Sequence, residues 1–131
     1  MRRAGYNARA ADEACRRAEA LGYLNDRAFA DALVGKRLRQ GRGRMLIGRE
    51  LGHKGLDETV VGEALGDVDA AAELRSAVPL AVKLLRRHAS EEAHRQREKV
   101  LGALARRGFS GSVSRDALAQ ATSQEGLSSE S

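Results

Sequence analysis

Aromatic side chains are nearly absent from this chain: Tyr6, Tyr23, Phe29 and Phe109 are the whole set, 3% of 131 residues. A core has to be built from Ala, Leu and Val instead. The stacking platforms on which single-strand nucleic-acid binders hold unpaired bases are also lacking. All four aromatics fall at apolar positions of helical patterns, so each is expected in the core. Cysteine occurs once, at Cys15, which excludes an intramolecular disulfide and is expected as a small buried or half-buried apolar residue. No apolar run approaches the ~20 residues of a membrane span, and no secretory signal opens the chain. A reducing cytoplasm is the expected compartment, and a monomer the expected state. β-Branched residues nowhere alternate with polar ones, which removes the signature of strands. The expected fold class is all-α.

The apparatus of catalysis is missing too. His53, His88 and His94 have no spacing that sets two ligands on one helix face, so no metal site is expected. GRGR at 41–44 follows no strand and is a poor nucleotide cradle. No Ser, Cys or Lys stands in a nucleophile motif. The expectation is a protein that is not an enzyme and takes no cofactor.

What the chain does have is a recurring phrase. In ELGHKGLDETVVGEAL, Leu51 closes a helix, Gly55 ends it, Leu56 packs, Asp57 caps the next helix and Ala64 and Leu65 are buried. Glycine suits the left-handed position just past a helix C-terminus, and Asp accepts bonds from orphaned N–H groups at the next start. Leu104, Gly108, Phe109, Ser110 and Ala117 repeat the phrase, as do Met1, Gly5, Tyr6, Asn7 and Ala14. The glycines lie 50 and 53 residues apart. Such a period marks a tandem array of small helical units that bury their apolar faces against one another. Repeats are expected at roughly 1–50, 51–103 and 104–121, in an elongated, curved domain over 1–121. The first repeat is expected to lack its leading helix.

Taken in order, Asn7 is expected to cap a helix to Leu21 with Ala10, Ala14, Ala18 and Leu21 on one face, stopped by Gly22. A second helix runs from Asn25 or Asp26 to Arg39 with Phe29, Leu33 and Leu38 inward. QGRG breaks the chain before a helix over 44–53 that buries Ile47 and Leu51. Asp57 opens a short helix. From Asp67 to Arg87 a long helix breaks near Val78–Pro79, because an internal proline costs ~3 kcal/mol. Ser90 caps a helix ending at Gly108, and the last helix spans 111–121. TSQEGLSSES at 122–131 has the composition of a disordered tail.

Net charge is +5 with a pI near 10.0, which points to nucleic acid or an acidic protein surface. Lys36, Arg37, Arg39, Arg42, Arg44, Arg49 and Lys54 form a cluster opposed by Glu50 alone. It spans a helix end, a corner and a helix start, so complementing helix dipoles does not account for all of it. A second set, Lys83, Arg86, Arg87, Arg95, Arg97, Lys99, Arg106 and Arg107, is diluted by Glu91, Glu92 and Glu98; for Arg86, Arg87, Arg106 and Arg107, at helix ends, dipole compensation is the better account. No helix start shows an evident recognition face for duplex bases. The 36–54 cluster is therefore the expected partner site, acting through phosphate electrostatics or against an acidic protein.

GYLNDRAFADAL, the basic stretch RLRQGRGRMLIGRELGHKGLD and a distant ARRGFS together resemble the RecX family, regulators of the bacterial recombinase RecA. The sharpest matches are Gly22-Tyr23-Leu24-Asn25-Asp26 with Phe29, and Glu50-Leu51 with Lys54-Gly55. The resemblance covers roughly Gly5 to Ala121. It implies tandem three-helix repeats, binding along the RecA–DNA filament, and inhibition of recombinase, ATPase and co-protease activities, hence a role in DNA repair and SOS control. It implies no cofactor. Family members usually carry a leading helix and an S-x-x-E-L start before the position of Met1. The alternatives are a basic protein that coats bare DNA and a truncated, non-functional copy.

Overall fold

The computed structural model describes the backbone of residues 2–130 and the side chains of residues 9–126. Six helices follow one another: α1 (Arg2–Arg39), α2 (Arg44–His53), α3 (Glu58–Gly66), α4 (Ala70–Arg87), α5 (Ala93–Arg106) and α6 (Gly111–Glu130). The described residues contain no strand, and no helix among them is long and apolar enough to cross a membrane.

The recurring phrase has a geometric meaning. Gly55 and Gly108 have φ of +83° and +96°. At the first, Leu56 N donates to Leu51 O and Gly55 N to Gly52 O; at the second, Phe109 N donates to Leu104 O and Gly108 N to Ala105 O. These paired bonds close a helix with its orphan carbonyls satisfied, and the apolar residue after the glycine folds back over the last turn. The next helix then starts at once. Asp57 accepts from Thr59 N at 2.8 Å, and Ser110 Oγ accepts from Val113 N at 3.2 Å. Gly41, with φ +75°, ends α1 the same way through Arg42 N to Arg37 O and Gly41 N to Leu38 O.

Two cores group the helices in threes. Ala30, Val34, Ile47, Leu51, Val60, Ala64 and Val68 join the C-terminal part of α1 to α2 and α3. Ala77, Ala81, Leu84, Val100, Leu104, Phe109, Val113 and Ala117 join α4, α5 and α6. The Gly–apolar–cap phrase therefore sits inside each unit, between its second and third helices.

Several local expectations are corrected. α1 is one helix of 38 residues, about 57 Å long at 1.5 Å per residue; it does not stop at Gly22, and Asn7 lies inside it rather than capping it. The glycine stop works when the residue after it has a core to enter. After Gly22 come Tyr23 and Leu24, 39% and 61% exposed, so nothing rewards a break. Alanine-rich flanks carry the helix through for a penalty of ~1 kcal/mol. For the same reason Ala10, Ala14, Ala18, Leu21 and Cys15 are all exposed rather than facing a core. Phe29 is exposed as well, at 49%. Phe109 is the aromatic that fills a core, while the side chain of Tyr6 lies outside the described residues.

α4 continues through Pro79. It is the central helix of its unit, and burial of Ala77, Val78, Ala81 and Leu84 against α5 and α6 offsets the missing hydrogen bond. Asp69 caps it through Ala72 N at 2.7 Å. α5 is capped by Glu92, not Ser90: its carboxylate accepts from His94 N and Arg95 N at 3.0 and 3.3 Å. The expected disordered tail continues α6 to Glu130, held as far as Glu125 by Arg86, 3.0 Å away on α4.

Candidate nucleic-acid interface

The two units meet at a seam of bare backbone. Gly43 N donates to Arg107 O at 2.8 Å and Met45 N to Gly108 O at 3.2 Å. A Cβ on Gly43 would lie 2.4 Å from Gly108 O, so only glycine permits this approach. Gly43 gives α2 no side-chain cap. The carboxylate of Glu73, 5% exposed on α4, accepts instead from Arg44 N at 3.1 Å. A negative charge there also complements the helix dipole. Ser76 Oγ donates to Leu38 O beside it.

This seam brings the end of α1 against α4 and the α5–α6 corner, and between them opens a cleft of about 740 Å³. Six cations line it: Arg39, Arg75, Lys83, Arg87, Arg106 and Arg107, over a floor that includes Leu38, Pro79, Leu80 and Ala103. No carboxylate lines it, and none of the six forms an ion pair among the described residues. Concave placement of one charge sign over a low-dielectric floor focuses the field outward and raises the local concentration of anions. A string of phosphates matches that arrangement better than a single carboxylate, because the cations extend along α4 rather than converging on one point.

The expected cluster is divided by the structure. Arg39 enters the cleft. Arg37 does not: its Nε and Nη2 hold both oxygens of Glu50 at 2.7 and 2.6 Å, and Nη1 donates to Gln40 at 2.9 Å. That two-pronged bond is the main reason the Glu50 carboxyl is held below its ordinary pKa, with Arg42 and Lys54 adding to it. Arg42 reaches the same carboxylate at 3.5 Å. With Arg49, His53 and Arg107 it borders a shallower hollow on the other side of the seam. Arg44 begins α2 and is exposed, as is Lys36 on α1. Lys54 ends α2 with Nζ 6.0 Å above the Phe29 ring. Arg37 thus fixes the α1–α2 corner, and Arg107 is shared between the cleft and the hollow.

Sequence reasoning missed Arg75, counted Lys83 only within the diluted second basic set, and assigned Arg87, Arg106 and Arg107 to helix-end compensation. A signal for them exists. Arg75, Pro79, Lys83 and Arg87 recur at intervals of four, which puts them on one face of α4. Arg86, one residue before Arg87, turns away to pair with Glu125.

Comparison with known proteins follows the same division into units. The family profile of the second three-helix domain of RecX matches residues 25–65, and that of the third matches 71–118. The regulatory protein RecX of Mycobacterium ulcerans is 36% identical over 111 residues, covering 83% of this chain and 64% of that protein. The regulatory protein RecX of Chlorobium phaeobacteroides is 32% identical over 121 residues, covering 92% and 78%. The crystal structure of RecX from Lactobacillus salivarius superposes with a TM-score of 0.73 at 22% identity, over 85% of this chain and 73% of that one, which is a likeness of fold. The chain spans about 64% of the length of the first of these relatives. It belongs to the RecX family.

Proposed function

We propose that this RecX-family chain is a non-enzymatic cytoplasmic regulator that docks on the RecA–DNA filament and restrains it, with the cleft between its two units set against DNA phosphates. The observation that carries this reading is the six-cation lining with no carboxylate in it. Unpaired cations in a concave site are held apart from their natural counter-charges, and a polyanion relieves them by releasing condensed counterions. The cations come from α1, α4, α5 and the residue that follows α5. Their spacing thus depends on the seam, and the site exists only when both units are folded. Arg42, Arg44, Arg49 and Lys36 extend the basic surface past the corner.

The test is co-sedimentation with preformed RecA–single-stranded-DNA filaments, beside the same DNA alone, at physiological salt. Enhanced pelleting with filaments, and its loss in Arg87→Glu/Arg106→Glu with folding intact, is the expected result. Arg42→Glu/Arg44→Glu is expected to weaken binding less, because Arg42 already answers to Glu50. A second reading, coating of bare DNA, draws on the same unpaired cations. Equal affinity for filament and bare DNA, with a log–log salt slope of about −0.7 per phosphate on single strands, would favour it over the filament reading.

A further inference from the structure

The Arg75–Pro79–Lys83 ridge that borders the cleft has a second side. There a groove of about 740 Å³ runs between α4 and α6. Its chemistry is different. The floor is Ala71, Leu74, Val78 and Val82, spaced by three and four residues along α4, so the apolar strip is about 16 Å long. The rim carries Arg75, Lys83 and Arg86 on the α4 side, with Gln120 and Gln124 facing them from α6. No carboxylate lines it. Arg86 is paired with Glu125, whereas Arg75 and Lys83 have no ion pair among the described residues.

The groove's two cations without an ion pair among the described residues, both on the α4 edge, offer a sugar–phosphate backbone far less than the six that line the cleft. An apolar strip of three helical turns with cations at its edge fits a segment that is apolar on one side and acidic on its flanks. Helix-in-groove recognition works in this way: apolar anchors repeat at three and four residues, and flanking charges set orientation.

We propose that this groove takes an acidic amphipathic helical segment of the protein partner, while the cleft across the ridge takes phosphate. The ridge would then divide protein contact from nucleic-acid contact along one helix. This deepens the filament reading and rests on it for the identity of the partner, but not for the chemistry of the segment.

The test uses the full chain and three labelled probes. They are a synthetic three-turn helical peptide with leucines on one stripe and glutamates on its flanks, the same peptide with lysines in place of glutamates, and an oligothymidylate. The expected result is saturable binding of the glutamate peptide, little binding of the lysine peptide, and no displacement of the first by the oligonucleotide. Gln120→Glu/Gln124→Glu changes two exposed rim residues that the cleft does not use. It is expected to weaken the glutamate peptide by about tenfold and oligothymidylate by clearly less, since the cleft shares only Arg75 and Lys83 of its six cations with the groove. Absence of saturable binding, equal binding of the lysine peptide, displacement by oligothymidylate, or indifference to the double variant would each overturn the proposal. Filament pelleting separates the two readings. If the peptide behaves as expected and the chain does not prefer filaments to bare DNA, the filament reading falls and the groove stands. If filaments are preferred and the peptide does not bind, the groove alone falls.

Discussion

α1 and α4 are both long helices with a breaker near the middle, Gly22 in one and Pro79 in the other, and both run through it. They do so for opposite reasons. Around Pro79 the helix is gripped: Ala77, Val78 and Ala81 are buried, and the packing of α5 and α6 outweighs a lost backbone bond. Around Gly22 no core grips it: every residue described from Arg9 to Asp26 is exposed, and Tyr23 reaches α3 only through its hydroxyl, which donates to Glu63 at 2.6 Å. There the helix persists because no apolar burial draws the chain elsewhere. A glycine followed by an apolar residue ends a helix at Gly108, where Phe109 is 2% exposed, and does not end one at Gly22, where Tyr23 is 39% exposed. Local sequence proposes a junction, and burial of the residue after the glycine decides whether it forms.

The hardest test of that contrast is to truncate one apolar residue just beyond each glycine. Phe109→Ala is expected to cost ~3–5 kcal/mol by emptying the centre of the α4–α6 core. Leu24→Ala, on the exposed stretch after Gly22, is expected to change stability by no more than about 0.5 kcal/mol. Urea midpoints with unchanged slopes measure both. Comparable losses would mean that the stretch of α1 around Gly22 carries a packed contact of its own.

A second pair exchanges the glycines themselves. Gly43→Ala drives a methyl to 2.4 Å from Gly108 O and is expected to destabilise by ~1–3 kcal/mol or to open the seam. Gly22→Ala meets nothing within 4 Å in a helical backbone and is expected to stabilise by ~0.5–1 kcal/mol. Thermal unfolding should move in opposite directions for one and the same substitution. A shared direction would break the comparison.

The smallest effect is electrostatic and contrasts the two ends of α1. Glu50 is held below its ordinary carboxyl pKa, chiefly by its bond to Arg37. Its folded value lies below its unfolded one, so its stabilisation is complete above the unfolded value and disappears as pH falls through the folded one. On acidification below about pH 4.5, wild type is therefore expected to lose stability faster than Glu50→Gln. Glu13→Gln, which removes a pair at 3.9 Å with side chains 84% and 63% exposed, is expected to leave the acid limb unchanged. Denaturant midpoints across the acid range read out both.

Much of the fold was legible in the sequence because it is local. α2 begins and ends where the apolar spacing and the flanking glycines place it, and Asp57 caps α3 as its chemistry requires. The left-handed glycines 55 and 108 stand where the phrase puts them. The errors concern what packing decides: whether Gly22 stops a helix, whether Pro79 breaks one, and whether Phe29 and Tyr23 are inside. The basic surface was half legible. Lys36 to Lys54 form a run in sequence and were noticed for that, yet the guanidinium of Arg37 is taken up by Glu50 and Gln40. The cleft draws Arg39 together with Arg75, Lys83, Arg87, Arg106 and Arg107 across 68 positions (39 to 107), and no linear window contains such a site. At their own positions these residues resemble the usual cations of helix ends.

Glu73 leaves one further mark. α2 and α5 are the second helices of their respective units, and they obtain their first hydrogen bonds differently. α5 has its own carboxylate in Glu92, whereas α2 begins at a glycine and borrows one from 29 residues downstream, in the neighbouring unit. The units are thus copies in pattern but not interchangeable in position. A gene rearranged to exchange their order would leave α5 starting as before and Arg44 without its acceptor. The two units share a pattern, and the borrowed carboxylate gives the pair a direction, so that the first unit is finished only by the second.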